Sequence, residues 1–348
     1  MPDYQRHDGA YFLLHELLVD PTSSLVSRQP VFLRLAADRG GVACHQAEMG
    51  IDLTDLLDAS GLWLHPEERP VFADTEFGER PAKGYKALVF GDQVMRVVSI
   101  WYRPARHSSV ARVALELAMR FNPSAGVPDE PADDDTNDQA GLVCGVALGR
   151  AGEEALFAVR VASNEERTLY ILATNSHGGR HAVRFRLVDV DGESGAVLVR
   201  DTPARQLTEP HQGQVERRLL QLPGTPRGCA WIPRYLAETV PDDRSLAHRR
   251  CSRGQQERLV AHLWPQDTKD RFAGDGRLLH HPRDFLLSRS LADARTSWDV
   301  YVSICAYLDR YSEAREPGDG TKDRLLRVAL GAGDSIKRRA WRWLLVNT

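Results

Sequence analysis

Residues 140–201 read AGLVCGVALGRAGEEALFAVRVASNEERTLYILATNSHGGRHAVRFRLVDVDGESGAVLVRD. Short apolar runs alternate in this stretch with groups of Gly, Asn, Asp and Ser, a pattern typical of strands separated by turns. Five strands are predicted, at residues 142–148, 156–162, 168–174, 182–190 and 196–200. Because the connections are too short for crossover helices, neighbouring strands should be antiparallel. The stretch predicts a β-meander within an antiparallel β region at residues 140–235.

The fourth of these strands has a clear alternation. Val183, Phe185 and Leu187 alternate with Arg184 and Arg186. Successive side chains of a strand point to opposite faces of the sheet. We therefore expect one face to be buried and the other to be basic and solvated.

Residues 1–121, upstream of the meander, predict a mixed α/β region. Two apolar runs flank Gly91-Asp92 within residues 86–103, which indicates a hairpin with a type II′ turn and a positive φ at Gly91. A helix capped by Ser108 or Ser109 should follow and end at Phe121.

Two stretches of this part carry weak strand or helix signals. Residues 65–83 are rich in Pro, Glu and Gly and predict a loop. Residues 122–139 read NPSAGVPDEPADDDTNDQ, and their low hydrophobicity and like charge predict an acidic, Pro-rich linker or loop.

Residues 236–348 predict a basic, mostly helical region. Apolar residues at helical spacing indicate helices at residues 252–263, 282–292, 297–311, 322–330 and 335–346. The whole chain is therefore predicted to be α+β, with an antiparallel β-meander region, flanking helices and a mostly helical C-terminal region.

The charge of the chain is divided unevenly along its length. Residues 1–202 hold 20 Lys and Arg against 30 Asp and Glu, a net charge of −10, and residues 203–348 have a net charge of +7. Such asymmetry indicates contact with nucleic acid or with an acidic partner, unless the two parts pack against each other.

Several classes of protein are disfavoured by the sequence. The five cysteines are scattered and form no CxxC pair, which argues against a disulfide framework or a common structural zinc site. GxxxxGK[ST], GxGxxG between a strand and a helix, and GxSxG are absent. The first ten residues are polar, unlike a secretory signal, so a cytoplasmic protein without a membrane span is expected. No cofactor is indicated.

The basic C-terminal region supplies the leading hypothesis, a non-catalytic binding protein or a subunit of a nucleoprotein assembly. Arginines are interleaved with aromatic residues near the C-terminus, in KRRAWRW, which suits phosphate contact and base stacking. The predicted phosphate contacts, to DNA or RNA, are Arg249, Arg250, Arg253, Lys337, Arg338, Arg339 and Arg342. The alternative is an amphipathic helix that docks on the domain and solvates its basic side.

A second hypothesis is a metal-dependent hydrolase with its site at the turns of residues 176–191. His177 and His181 flank Gly178-Gly179 between two predicted strands, and Asp189 or Asp191 would add a carboxylate ligand. The alternative for these residues is ordinary turn chemistry.

A third hypothesis is a structural assembly protein. The chain ends in AWRWLLVNT without a polar tail. The last helix, with Ile336, Ala340, Trp343 and Leu344 as its predicted apolar face, would then bind a protein partner or a second copy of the chain.

Overall fold

The computed structural model confirms an α+β protein made of antiparallel sheets and helices. The structure describes residues 33–34, 41–44, 62, 65–91, 93–121, 141–148, 154–163, 167–191, 196–199, 206–209, 246–265, 271–272, 278–279, 282–310, 328–331 and 333–348.

The largest element is an eight-stranded antiparallel sheet. Its strands are β1 (Leu33–Arg34), β2 (Gly41–Cys44), β6 (Gly141–Leu148), β7 (Glu154–Ser163), β8 (Arg167–Ser176), β9 (Val183–Asp191), β10 (Val197–Leu198) and β11 (Gln206–Glu209). Strands β6 to β9 follow one another in space as in sequence, and both β10 and β11 pair with β9. The predicted meander is confirmed.

The eight-stranded sheet joins the first predicted region of the chain to the third. Strand β2 pairs with β6 across the predicted linker, with Val42 opposite Val146. Helix α1 (His107–Phe121) packs on β7 and β8 and buries Val110, Val113 and Leu117. One hydrophobic core therefore includes α1 and one face of the sheet.

The opposite face of the sheet is also buried, contrary to the prediction of a basic, solvated face. Leu172 lies opposite Arg186 in the β8–β9 register, and both are buried. Arg186 is only 4% exposed, and its charge is compensated by Asp334, because Arg186 Nη2 lies 2.6 Å from each carboxylate oxygen. The prediction missed this partner because it lies 148 residues away in sequence.

A separate three-stranded antiparallel sheet contains β3 (Glu67–Thr75), β4 (Gly78–Phe90) and β5 (Gln93–Ser99). The predicted hairpin corresponds to β4 and β5, and Gly91 between them has a positive φ of 58°. The predicted loop at residues 65–83 is wrong, since most of it forms β3 and the start of β4.

The C-terminal region is mostly helical, as predicted. Its elements are α2 (Arg253–Leu263), the short strands β12 (Arg271–Phe272) and β13 (Leu278–Leu279), α3 (Pro282–Phe285) with a π-helical turn at Leu286–Ser290, α4 (Ser297–Arg310) and α5 (Asp334–Asn347). These helices form a second hydrophobic core, which includes Leu259, Tyr301, Trp341 and Leu344.

Buried polar side chains of the helices hold the segment at β10. Lys337 Nζ donates to Val197 O at 2.7 Å, and Asp309 accepts a hydrogen bond from Val197 N at 2.9 Å. The Tyr301 hydroxyl accepts from Val199 N at 2.8 Å and donates to Val199 O. Both backbone groups of Val197 and of Val199 are thus satisfied by helical side chains.

Two of the predicted segments fall outside the described residues: the linker at 122–139 and most of the helix at 322–330. Within the described part of the chain, none of the helices has the length and apolar character needed to cross a membrane.

Candidate nucleic-acid interface

Helices α2 and α5 lie side by side and run antiparallel. Gln255, near the start of α2, donates to Asn347 O at 2.7 Å, and Arg339, in the first half of α5, donates to His262 O at 2.6 Å. This alignment sets Arg258 of α2 and Arg342 of α5 at about the same level along the pair. We call the outer side of these two helices, with the segment before α2, the α2–α5 surface.

Each helix turns an apolar side inward. Helix α2 buries Leu259, Val260 and Leu263, and α5 buries Ala340, Trp341 and Leu344. This burial leaves the arginines of both helices on the outer side, which is the amphipathic pattern expected for helices that cover a core.

The α2–α5 surface is strongly basic. Residues 246–265 and 333–348 hold eight Lys and Arg against two acidic residues, a net charge of +6. Five of the arginines are exposed and two more are half-buried. The exposed ones are Arg250, Arg253, Arg258, Arg339 and Arg342, and the half-buried ones are Arg249 and Arg338.

Two of these arginines also stabilise helix ends. Arg249 donates to Leu345 O near the end of α5 at 2.7 Å, and Arg339 donates to His262 O near the end of α2. Carbonyls in the last turn of a helix lack an intrahelical donor, so a guanidinium there supplies a hydrogen bond and a favourable charge. A guanidinium has five N–H donors, which leaves donors available to a ligand.

Within residues 246–265 and 333–348, one exposed acid, Glu257, accompanies the arginines. Glu257 lies 3.5 Å from Arg253, four residues earlier on the same helix, and both side chains are about half exposed. An exposed pair of this kind contributes little to stability. Arg253 therefore remains available to an anionic ligand at small cost.

Lys337 does not belong to this surface, contrary to the prediction that it contacts phosphate. Its side chain is 1% exposed, and Nζ lies 2.6 Å from Asp309 Oδ1. Burial raises the pKa of the Asp309 carboxyl, and the adjacent Lys337 opposes that rise. The ammonium group is thus a structural part of the core.

Trp341, one of the two tryptophans interleaved with the basic residues, is also internal. It is 1% exposed, and its ring packs edge-on against Tyr301 with the centroids 5.0 Å apart. Trp343 is half-buried and packs against the same core. Base stacking on Trp341 is therefore incompatible with this structure, and only the phosphate-contact part of the prediction is retained.

The sequence prediction missed Arg258. Arg258 is exposed on the outer side of α2, whereas the next two residues, Leu259 and Val260, are buried. The signal was present in the helical periodicity, but Arg258 stands alone in sequence and does not belong to a basic run.

The three residues predicted as metal ligands do not converge. His177 and His181 lie in the turn between β8 and β9, whereas Asp189 lies six residues into β9, about 20 Å along the strand from Val183. Among the residues that the structure describes, no three His, Cys, Asp or Glu side chains are grouped so that they hold a metal ion. Asp191, at the end of the same strand, lies two residues farther from the turn.

His177 has a structural role at this turn. Its ring stacks on that of His107 with the centroids 3.8 Å apart, and its Nε2 is 2.9 Å from Ala105 O. Asn175 Nδ2 donates to the same carbonyl at 2.8 Å. These contacts fix the start of α1 against the end of β8, and no sequence pattern predicted that His107 and His177 would meet.

The same turn anchors the three-stranded sheet. Arg96 of β5 donates to Gly178 O, and the Tyr102 hydroxyl donates to Ser176 O at 3.2 Å. Desolvation raises the pKa of Tyr102, so the hydroxyl stays protonated as a donor. The turn at residues 176–181 therefore serves as a junction between the two sheets.

Comparison with protein-family models, with curated proteins and with solved structures finds no match for this chain.

Proposed function

We propose that this protein binds the phosphate backbone of nucleic acid through the α2–α5 surface, as a non-catalytic subunit of a nucleoprotein assembly. The observation that carries the proposal is the clustering of five exposed arginines on two adjacent antiparallel helices, with Glu257 as the one exposed acid among residues 246–265 and 333–348. Four of the predicted contacts belong to this cluster, namely Arg250, Arg253, Arg339 and Arg342, and the predicted Arg249 and Arg338 are half-buried.

Arginine suits this role for geometric reasons. A guanidinium presents several N–H donors in one plane and binds phosphate oxygens in a bidentate manner. Helix α5 has 14 residues and is about 21 Å long, a length that covers about six base pairs of a duplex. Contacts of this kind position a protein without reading base sequence, so we expect little sequence preference.

The experiment is a binding titration of the full chain against labelled DNA and RNA oligonucleotides at several salt concentrations. Affinity should fall steeply between about 50 and 200 mM salt, because each phosphate contact releases counterions. The variant Arg258→Glu/Arg342→Glu should bind more weakly and have a salt slope smaller by about 2, or about one per lost contact.

A matched control separates the α2–α5 surface from the general charge of the protein. The variant Arg69→Glu/Arg103→Glu changes net charge by the same amount at Arg69 of β3 and at Arg103, which lies 3.4 Å from Glu68 of that strand, and both arginines are exposed. It should bind as the natural chain does. Undetectable binding of DNA and RNA at low salt, or equal loss in both variants, contradicts the proposal.

A further inference from the structure

The first two strands of the three-stranded sheet extend beyond the third. Strand β5 pairs with β4 only as far as Ser99 opposite Tyr85, but β3 and β4 continue to pair from Phe72–Pro81 to Thr75–Gly78. These four residue pairs form a two-stranded ribbon about 13 Å long. Every residue from 72 to 81 is exposed. We call residues 72–81 the ribbon.

The tip of the ribbon holds an aromatic side chain in a defined place. The Thr75 hydroxyl accepts a hydrogen bond from Phe77 N at 3.3 Å and donates to Gly78 O at 2.7 Å. The turn is followed by Gly78, whose φ of 86° is a conformation that glycine adopts readily. The Arg80 guanidinium lies 5.4 Å from the centroid of the Phe77 ring.

The ribbon exposes two large aromatic side chains to solvent. Phe77 is 78% exposed and Phe72 is 55% exposed, and Trp101, two residues after β5, is 82% exposed. An isolated two-stranded ribbon is marginally stable in water, and grouped exposed aromatics mark interaction sites. The ribbon therefore has the character of a docking element.

The charge of the ribbon selects its partner. Residues 72–81 contain Asp74, Glu76 and Glu79 against Arg80 alone, a net charge of −2. This charge is repelled by nucleic acid and attracted by a basic protein surface. The partner surface should therefore combine basic and apolar side chains.

The α2–α5 surface has both properties. Its exposed arginines are accompanied at the end of α5 by Val346, which is 83% exposed, and by half-buried Trp343. These two apolar residues suit the phenylalanines of the ribbon, and Arg342 beside them suits the carboxylates.

We propose that the ribbon of one copy of this chain docks on the α2–α5 surface of a second copy. The contact joins two different surfaces, so each copy offers one free ribbon and one free α2–α5 surface, and association is head to tail. The proposal depends on the charge and exposure of the α2–α5 surface and not on nucleic-acid binding, but the two ligands compete for that surface.

Sedimentation of the full chain over a range of concentrations tests the proposal. The natural chain should self-associate. Two variants should each lose association by about tenfold or more: Phe72→Ser/Phe77→Ser in the ribbon, and Arg258→Glu/Arg342→Glu on the α2–α5 surface. Circular dichroism should show that both keep the fold, because all four side chains are exposed.

Mixing the two variants gives the sharpest result. The surface variant retains an intact ribbon and the ribbon variant retains an intact α2–α5 surface, so the mixture should form a 1:1 dimer that grows no further. A third variant combines Glu76→Arg/Glu79→Arg with Arg258→Glu/Arg342→Glu. It should self-associate again, because the charges of the two surfaces are exchanged.

A natural chain that stays monomeric at all concentrations overturns the proposal, as does a mixture that forms no dimer. Nucleic-acid binding by the ribbon variant separates the two proposals. If that variant binds oligonucleotides normally but fails to self-associate, both stand. If it self-associates like the natural chain, head-to-tail docking is wrong whether or not oligonucleotides bind.

Discussion

Lys337 Nζ lies 2.6 Å from Asp309 Oδ1, and both side chains are buried where α4 and α5 meet strand β10. The two charged groups also bind both backbone groups of Val197. A pair with this many hydrogen bonds is tolerated in the interior, but either charge alone would be costly there.

Replacing Lys337 by Met should therefore destabilise the protein by about 3–5 kcal/mol, because it leaves a buried carboxylate without its cation. Urea denaturation provides the measurement. Arg338→Met, at the adjacent half-exposed position, is the control and should change the free energy of unfolding by less than about 1 kcal/mol. The double variant Lys337→Met/Asp309→Leu should recover part of the loss, and a double variant that is less stable than Lys337→Met contradicts this account.

Alanine substitutions at Gly331 and Gly333 form a matched pair that tests the Arg186–Asp334 contact. Both have positive φ, 84° and 90°, so alanine costs about 1–2 kcal/mol of backbone strain at either position. At Gly331 the new Cβ would lie 2.9 Å from Asp334 Oδ2, whereas at Gly333 its nearest neighbour is Leu308 Cβ at 3.7 Å.

Gly331→Ala should therefore reduce the free energy of unfolding by about 1–3 kcal/mol more than Gly333→Ala does. This difference is the usual cost of disturbing a buried polar contact. Thermal and urea unfolding of the two variants measure the difference. Equal losses would show that Asp334 shifts without weakening its ion pair.

Trp341→Ala should destabilise the protein by about 3–5 kcal/mol, the usual cost of removing a fully buried large aromatic side chain. Trp343→Ala should cost less, since Trp343, two residues later on the same helix, is half-buried. The free energies of unfolding of the two variants decide the order. The reverse order would mean that the helix packs through the face predicted from sequence.

The stability of the protein should fall as the solution becomes acidic. Burial, followed by Arg184 and Arg180, lowers the pKa of His181 below its ordinary value of 6.5, although its hydrogen bond to the Ala182 carbonyl acts in the opposite direction. A histidine whose folded pKa is below its unfolded pKa stabilises the fold fully above the unfolded value. That stability is lost as the pH falls from about 6.5 through the folded pKa.

His181→Gln should reduce this loss, as measured by urea unfolding at intervals between about pH 8 and 5. His262→Gln serves as the control, because His262 is exposed at the end of α2. If His181→Gln leaves the acid dependence unchanged, the loss of stability comes from other groups.

The sequence predicted regular elements well where apolar residues had a clear period. The strand predicted at residues 168–174 is Arg167–Ser176, and the helix predicted at 297–311 is Ser297–Arg310. Both elements bury apolar residues against a core, so apolar residues recur in the sequence at the period of the strand or helix.

Strand β3 could not be predicted in the same way. Its residues are exposed on both faces, apart from the half-buried Val71, so no alternation of apolar and polar residues marks it. Pro70 and Pro81 also argued for a loop, although proline is tolerated at the edge of a sheet.

The buried charges explain the other errors. Arg186 and Lys337 look like surface residues in sequence because lysine and arginine are rarely buried without a partner. Their partners Asp334 and Asp309 are 148 and 28 residues away, so only the tertiary structure brings them together. The buried face of α5 likewise includes Lys337 and Trp341, whereas the predicted Ile336 and Trp343 are only partly buried against the same core.

The segment at Val197–Leu198 has a consequence for how the whole molecule unfolds. It is two residues long, yet it pairs with β9 on one side and is held through Val197 by Lys337 and Asp309 on the other. Neither the sheet nor the helical region can open there without breaking the other's hydrogen bonds. The strands and the helices therefore belong to one cooperative unit, and their most protected amide protons should exchange with the same free energy of opening.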